Sequence, residues 1–134
     1  MRARNAALST AIAVTALSAC APEPSVSALV DPGIAYALVS IEGRPFPATA
    51  TLTFPASDRV AGQGPCNSFD AQQTAPYPFI EIGPLRTTRM ACPDIEAEML
   101  YFGALDAVTV VEAAGPQLVL NAPGGPRMVF QAEN

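Results

Sequence analysis

Val108-Thr109-Val110-Val111-Glu112-Ala113-Ala114-Gly115-Pro116-Gln117-Leu118-Val119-Leu120-Asn121-Ala122-Pro123-Gly124-Gly125-Pro126-Arg127-Met128-Val129-Phe130-Gln131 decides the fold. It reads as three short strands, Val108 to Glu112, Gln117 to Asn121 and Arg127 to Gln131. Ala114-Gly115-Pro116 and Pro123-Gly124-Gly125 stand between them as hairpin turns. Strands joined so tightly run antiparallel, because a parallel pair needs a crossover of a dozen residues or more.

The segment just upstream changes period. Pro93 suits a first helical position, Asp94 and Glu96 favour the positive end of a helix, and Ile95, Met99, Phe102 and Leu105 recur at helical spacing. A helix is predicted from Pro93 to Asp106. Further upstream, Ile34 to Ile41 is an apolar run that stops at the turn signal Glu42-Gly43-Arg44-Pro45. Ala50-Thr51-Leu52-Thr53-Phe54 alternates, placing Leu52 and Phe54 inward, and Pro55 to Asp58 turns into a second arm from Arg59 to Gln63. Gly62-Gln63-Gly64-Pro65-Cys66-Asn67 reads as a bend, Phe69 to Gln73 as a short strand and Phe79-Ile80-Glu81-Ile82 as another. Leu85 to Cys92 reads as loop. The predicted fold is α+β and mainly β: a compact antiparallel, barrel-like sheet of about seven to eight short strands, its open side covered by the one helix.

The N-terminus addresses the compartment. Arg2 and Arg4 precede an apolar stretch from Ala6 to Thr15, and Leu17-Ser18-Ala19-Cys20 closes it with small residues before a cysteine. Bacterial lipoprotein signals look like this, with a diacylglycerol on the Cys20 thiol and cleavage before it. An ordinary signal peptide cut elsewhere would share the small residues. A membrane span needs about 20 apolar residues and is not met by this run, which Ala21-Pro22-Glu23-Pro24 interrupts. Residues 1–19 are thus expected to be a lipoprotein signal peptide, 20–33 a lipidated cysteine and flexible tether, and 34–132 one domain. Two or three acyl chains would anchor the protein without a helix. Ala21, not Asp, after the cysteine resembles the enterobacterial signal for the outer membrane, facing the periplasm.

Composition narrows the chemistry. All seven basic residues are arginines and two leave with the leader, so five face twelve acidic residues, a mature charge near −7. That balance repels phosphates and lacks the basic stripe of a nucleic-acid reader. There is no histidine, lysine or tryptophan, which removes histidine-dependent triads, histidine-ligated zinc and Schiff-base chemistry. With Cys20 assigned to lipid, Cys66 and Cys92 remain as a pair in an oxidising compartment. A disulfide between them closes a loop of about 25 residues and contributes roughly 3.5 kcal/mol in the chain-entropy model. A reactive or metal-binding pair is the rival reading, without a CxxC spacing behind it.

Several segments together resemble the META domain lipoproteins, the family that includes the HslJ-like heat-shock proteins. They are Leu38-Val39-Ser40-Ile41-Glu42-Gly43-Arg44-Pro45, Gly62-Gln63-Gly64-Pro65-Cys66-Asn67-Ser68-Phe69, Ile82-Gly83-Pro84-Leu85, Thr88-Arg89-Met90-Ala91-Cys92, the helix with Glu98 and Leu105, Leu118-Val119-Leu120 and Met128-Val129-Phe130. Cys66-Asn67 with Thr88-Arg89-Met90-Ala91-Cys92 at this separation carries most of the specificity. Tyr36 stands where the family usually has Trp, and Asp70 lies near a common glycine. The resemblance implies a compact, mostly antiparallel domain with one helix. It also implies an envelope role linked to heat shock and stress, without an established catalytic activity or ligand.

The candidate site residues are few. Thr88 and Arg89 could bind an anion, the guanidinium offering a fork of donors, or could pair within the fold. Asn67 could touch a ligand or satisfy its own turn. Asp94, Glu96 and Glu98 suggest a metal only on paper, because i and i+2 diverge on a helix and only Asp94 and Glu98 share a face. Asp58, Asp70 and Glu81 could serve a hydrolase only if they converged. The expectation is a monomeric, non-enzymatic envelope lipoprotein without metal or cofactor, held to the membrane by its lipid. It would bind an unknown envelope protein or small ligand; the alternative is inhibition of a basic lysozyme-like enzyme.

Overall fold

The computed structural model describes residues 20–133, so the expected leader, 1–19, lies outside the described residues. Six strands precede the helix: β1 (Tyr36–Ile41), β2 (Arg44–Pro45), β3 (Thr51–Ala56), β4 (Arg59–Gln63), β5 (Ser68–Gln72) and β6 (Arg86–Thr87). After α1 (Ile95–Ala107) come β7 (Val110–Ala114), β8 (Gln117–Asn121) and β9 (Arg127–Ala132). The nine strands form one sheet in the order β6-β5-β4-β3-β1-β9-β8-β7, with β2 beside β1. Every pairing is antiparallel. Among the described residues no helix is long and apolar enough to cross a membrane.

The C-terminal hairpins form where their turns predict them, with Gly115 and Gly124 at φ 59° and 70°. β9 then returns to pair with β1, Leu38 opposite Phe130, which joins the two halves of the chain. One edge of β1 is shared: β3 takes the Tyr36–Ala37 end and β2 the Ser40–Ile41 end. Between β1 and β2, Glu42 and Gly43 both have positive φ, 53° and 73°, which reverses the chain in two residues and turns the expected loop at Arg44-Pro45 into a strand. This hairpin leads into Phe46 and Pro47, beside the helix.

Edge strands β6 and β7 do not pair, so the sheet is not closed. The segment from Pro78 to Gly83 spans part of the opening. Phe79 bridges Val110 and Ile82 bridges Gln73; the Ile80 amide donates to Thr109 O at 3.0 Å and the Gly83 amide to Gln72 O at 2.9 Å. The expected strand at Phe79–Ile82 is reduced to these isolated bridges, since Pro78 and Pro84 at its flanks supply no N–H for a longer ladder. β6, in contrast, arises within the expected loop: Arg86 and Thr87 pair with Asp70 and Phe69.

Inward side chains of the strands and α1 make one core. Leu52, Phe54, Val60, Leu118, Leu120 and Phe130 are almost wholly buried with Tyr101 and Leu105. Tyr101 is the hub, its ring centroid 5.8 Å from Phe69, 6.1 Å from Phe46 and 6.4 Å from Phe130. Its hydroxyl donates to Thr51 O at 2.9 Å, and burial holds its ionisation far above the ordinary phenol range.

Two expectations are corrected. Of the predicted stripe, Leu105 is buried but Ile95 and Met99 are 41% and 70% exposed; the helix turns Glu98, Tyr101, Ala104 and Leu105 inward instead. The reason is polar, since Glu98 is required at the Cys66–Asn67 bend. The flexible tether also ends early. Val26, in a short 3₁₀ turn (Val26–Ala28), and Val30 join the core, and the Tyr77 amide donates to Pro24 O at 2.9 Å.

Candidate functional site

The bend after β4 brings Cys66 and Asn67 under the first turns of α1, and Glu98 meets them. The amides of Cys66 and Asn67 donate to Glu98 Oε2 at 2.8 and 2.6 Å, and Asn67 Nδ2 donates to Oε1 at 2.6 Å. Asn67 Nδ2 also donates to Met90 O at 3.1 Å. Asn67 Oδ1 accepts from the Met90 amide at 2.6 Å and from the Thr88 hydroxyl at 3.0 Å. The Ser68 amide donates to Thr88 Oγ1 at 3.2 Å. Cys66 and Cys92 form a disulfide with Cα atoms 5.6 Å apart, pinning the 88–92 segment to the same bend. Gly64 is required here, because a Cβ would come within 2.8 Å of Glu98 Oε2 and 2.9 Å of the Phe102 ring.

Asn67, Thr88, Cys66 and Cys92 are therefore gathered in one place, but every polar atom of Asn67 faces the protein. Arg89 is exposed and joins no ion pair among the described residues, so the expected internal carboxylate partner is absent there. Glu98 was missed as the organiser of this knot. Its signal was an acidic residue whose i+3, i+4 and i+7 neighbours, Tyr101, Phe102 and Leu105, are all apolar, which places a carboxylate on the buried face.

The second polar cluster lies on β4, β5 and β6. Asp70 Oδ2 accepts from Arg59 at 2.7 Å and from Arg86. These two guanidiniums hold the Asp70 carboxyl below the usual carboxylate range. Glu81 accepts from the Thr74 hydroxyl at 3.1 Å. Asp70 and Glu81 are thus engaged with separate partners, and nothing here gathers them with Asp58 as a catalytic pair.

An open apolar concavity flanks the helix. It lies between α1 and the β2–β3 connection, about 480 Å³ in volume, with Pro45, Phe46 and Pro47 on one wall and Met99, Leu100 and Gly103 on the other. Two facts of sequence create it. β2 ends at Pro45, so Phe46 and Pro47 run past the helix as connecting chain, and Gly103 leaves the helix side of the trough bare: a Cβ there would meet nothing within 4 Å. Met99 and Leu100 are 70% and 52% exposed, so the trough is an open, mostly apolar surface, with Glu42 and Arg44 as its charged lining.

Comparison with known proteins agrees with this architecture. A protein from Burkholderia xenovorans, solved by NMR, matches at 25% identity and TM-score 0.64 over 92% of this chain and 99% of that one. A second NMR structure, 19% identical with TM-score 0.58 over 75% of this chain and 89% of that one, shares the fold. No curated protein matches the chain. Nothing in these likenesses indicates a catalytic family. The family model for the META domain matches residues 28–134, spanning the nine-stranded sheet and its helix, and the chain belongs to the META domain family.

Proposed function

We propose that this protein is a non-enzymatic envelope lipoprotein of the outer membrane, whose META domain serves stress tolerance by binding a protein or small ligand in the trough beside α1. The observation that carries the reading is the contrast between its surfaces. Asn67, Thr88, Glu98 and Asp70 spend their hydrogen bonds within the fold, whereas Met99 and Leu100 line an open apolar concavity. A concave apolar surface with a few polar groups at its rim is the usual form of a ligand-binding site. Exposed Cys20 is the proposed lipid attachment point.

Two experiments test this. A deletion strain under heat or envelope stress is complemented with the wild-type protein or with Gly103→Leu, which fills the trough; full rescue by the filled variant overturns the binding reading. Cys20→Ala is expected to leave an uncleaved precursor without acyl mass, and normal processing of that variant overturns the anchor. The mature charge near −7 favours a second reading, docking on a basic lysozyme-like enzyme. It is sunk if excess purified domain leaves lysozyme activity unchanged.

A further inference from the structure

We infer that the trough beside α1 receives an amphipathic segment of a basic partner protein, its apolar residues on Phe46, Met99 and Leu100 and its Lys or Arg side chains at the Asp94–Glu96 end. This rests on the binding reading above and adds the chemistry of the partner. The trough does not stop at Leu100. A second depression shares Pro47 and Leu100 with it and continues to Asp94 and Glu96 at the start of the helix. The joined surface follows α1 for most of its 13 residues, a length of about 20 Å. That is too long for a small molecule to fill and suits a helical segment lying along a groove, the mode in which an amphipathic helix docks by its apolar face. Met99 adds a side chain able to repack around different apolar shapes.

Charge orients the occupant. At the Gly103–Pro126 end, Glu42 and Arg44 stand together on the rim with opposite signs. At the other end Asp94 and Glu96 are both acidic, exposed and in no ion pair among the described residues. The Asp94 side chain caps no helix amide, so its oxygens remain open to a donor. A cationic end of the segment adds ion pairs to carboxylates that otherwise face only the positive end of the helix and solvent, and the excess negative charge of the mature chain steers a basic partner toward the protein.

The test uses the full mature protein and three labelled amphipathic peptides of about 14 residues. They share one apolar face and carry Lys, Gln or Glu at one end. The Lys peptide is expected to bind tightest and to weaken about tenfold when Asp94→Asn and Glu96→Gln are combined, as two exposed charge pairs together would give. The Gln peptide should not respond to that double substitution, and Gly103→Leu should abolish binding of all three while the protein stays folded by circular dichroism. Equal binding of the three peptides, lost in Gly103→Leu, overturns the basic-partner inference and leaves the trough as a binding site. Binding by none, or binding indifferent to Gly103→Leu, overturns the trough itself.

Discussion

Asn67 holds both oxygens of the Glu98 carboxylate: its backbone amide donates to Oε2 and its side-chain amide to Oε1, each at 2.6 Å. Glu98 is 4% exposed and Asn67 5% exposed, so this pairing substitutes for water on a group that would be costly to bury alone. It also ties α1 to the bend between β4 and β5 at the point where Cys66 enters its disulfide.

Removing the carboxylate should therefore be severe. Glu98→Ala orphans the Cys66 and Asn67 amides and one of the two N–H groups of Asn67 Nδ2, the other keeping Met90 O, and at about 1–3 kcal/mol for each buried unsatisfied donor the loss is on the order of 3 kcal/mol or more. Glu98→Gln keeps the shape and can leave its oxygen where the Cys66 and Asn67 amides converge, but its N–H₂ then faces Asn67 Nδ2, donor against donor, so it should recover only part of the loss. Urea unfolding of the two variants checks the order. A Glu98→Ala protein as stable as wild type would show that the knot adds nothing.

The disulfide acts on the same bend through the unfolded chain. With its cysteines 26 positions apart in sequence, the bridge should contribute about 3.5 kcal/mol by restricting the denatured ensemble. Cys92→Ser, or wild type under full reduction, should lose that amount in urea unfolding and gain a larger m-value, since the unlinked chain exposes more surface. Identical midpoints with and without reductant would contradict the stabilising role.

The strands around Gly115 and Gly124 were legible because alternation and glycine turns act locally, and the hairpins needed nothing from the rest of the molecule. The helix was legible in extent but not in rotation. Ile95, Met99, Phe102 and Leu105 form a plausible stripe by spacing, yet the choice of buried face was made by a contact between Glu98 and a bend about 30 residues away. β2 and β6 were hidden for a related reason: two-residue strands carry no period, and each exists only because β1 or β5 offers an edge. Of the candidate site, the gathering of Cys66, Asn67, Thr88 and Cys92 was traceable through the family resemblance. The trough was not, because it is made by the absence of a side chain at Gly103 and by where β2 happens to end.

Asp70 gives the fold an acid-sensitive element. Hydrogen bonds from Arg59 and then Arg86 lower its folded-state pKa, so its stabilising contribution is complete above the ordinary carboxylate range and is lost as pH falls through the lowered folded value. Asp70→Asn should flatten the acid limb of stability against pH and leave the neutral-to-alkaline shape unchanged. The effect should shrink as salt is raised, because the cluster is solvent-exposed. Thermal unfolding between pH 2 and 7, at low and high salt, measures this; parallel curves for variant and wild type would remove Asp70 from the acid response.

Two glycines should respond to alanine in opposite directions. At Gly62, where β4 lies against Leu52 of β3, a Cβ would come 2.0 Å from Thr51 O and 2.9 Å from the Phe69 ring. Thr51 O is also the acceptor of the Tyr101 hydroxyl, so the backbone can yield only by disturbing the core hub, and Gly62→Ala should cost at least about 1–3 kcal/mol as overpacking does. Gly103 sits within α1 with nothing near its Cβ direction, and Gly103→Ala should stabilise by about 0.5–1 kcal/mol through helix propensity alone. Thermal unfolding of both variants decides the matter. A destabilised Gly103→Ala would mean that the trough floor is occupied by protein rather than open to a partner.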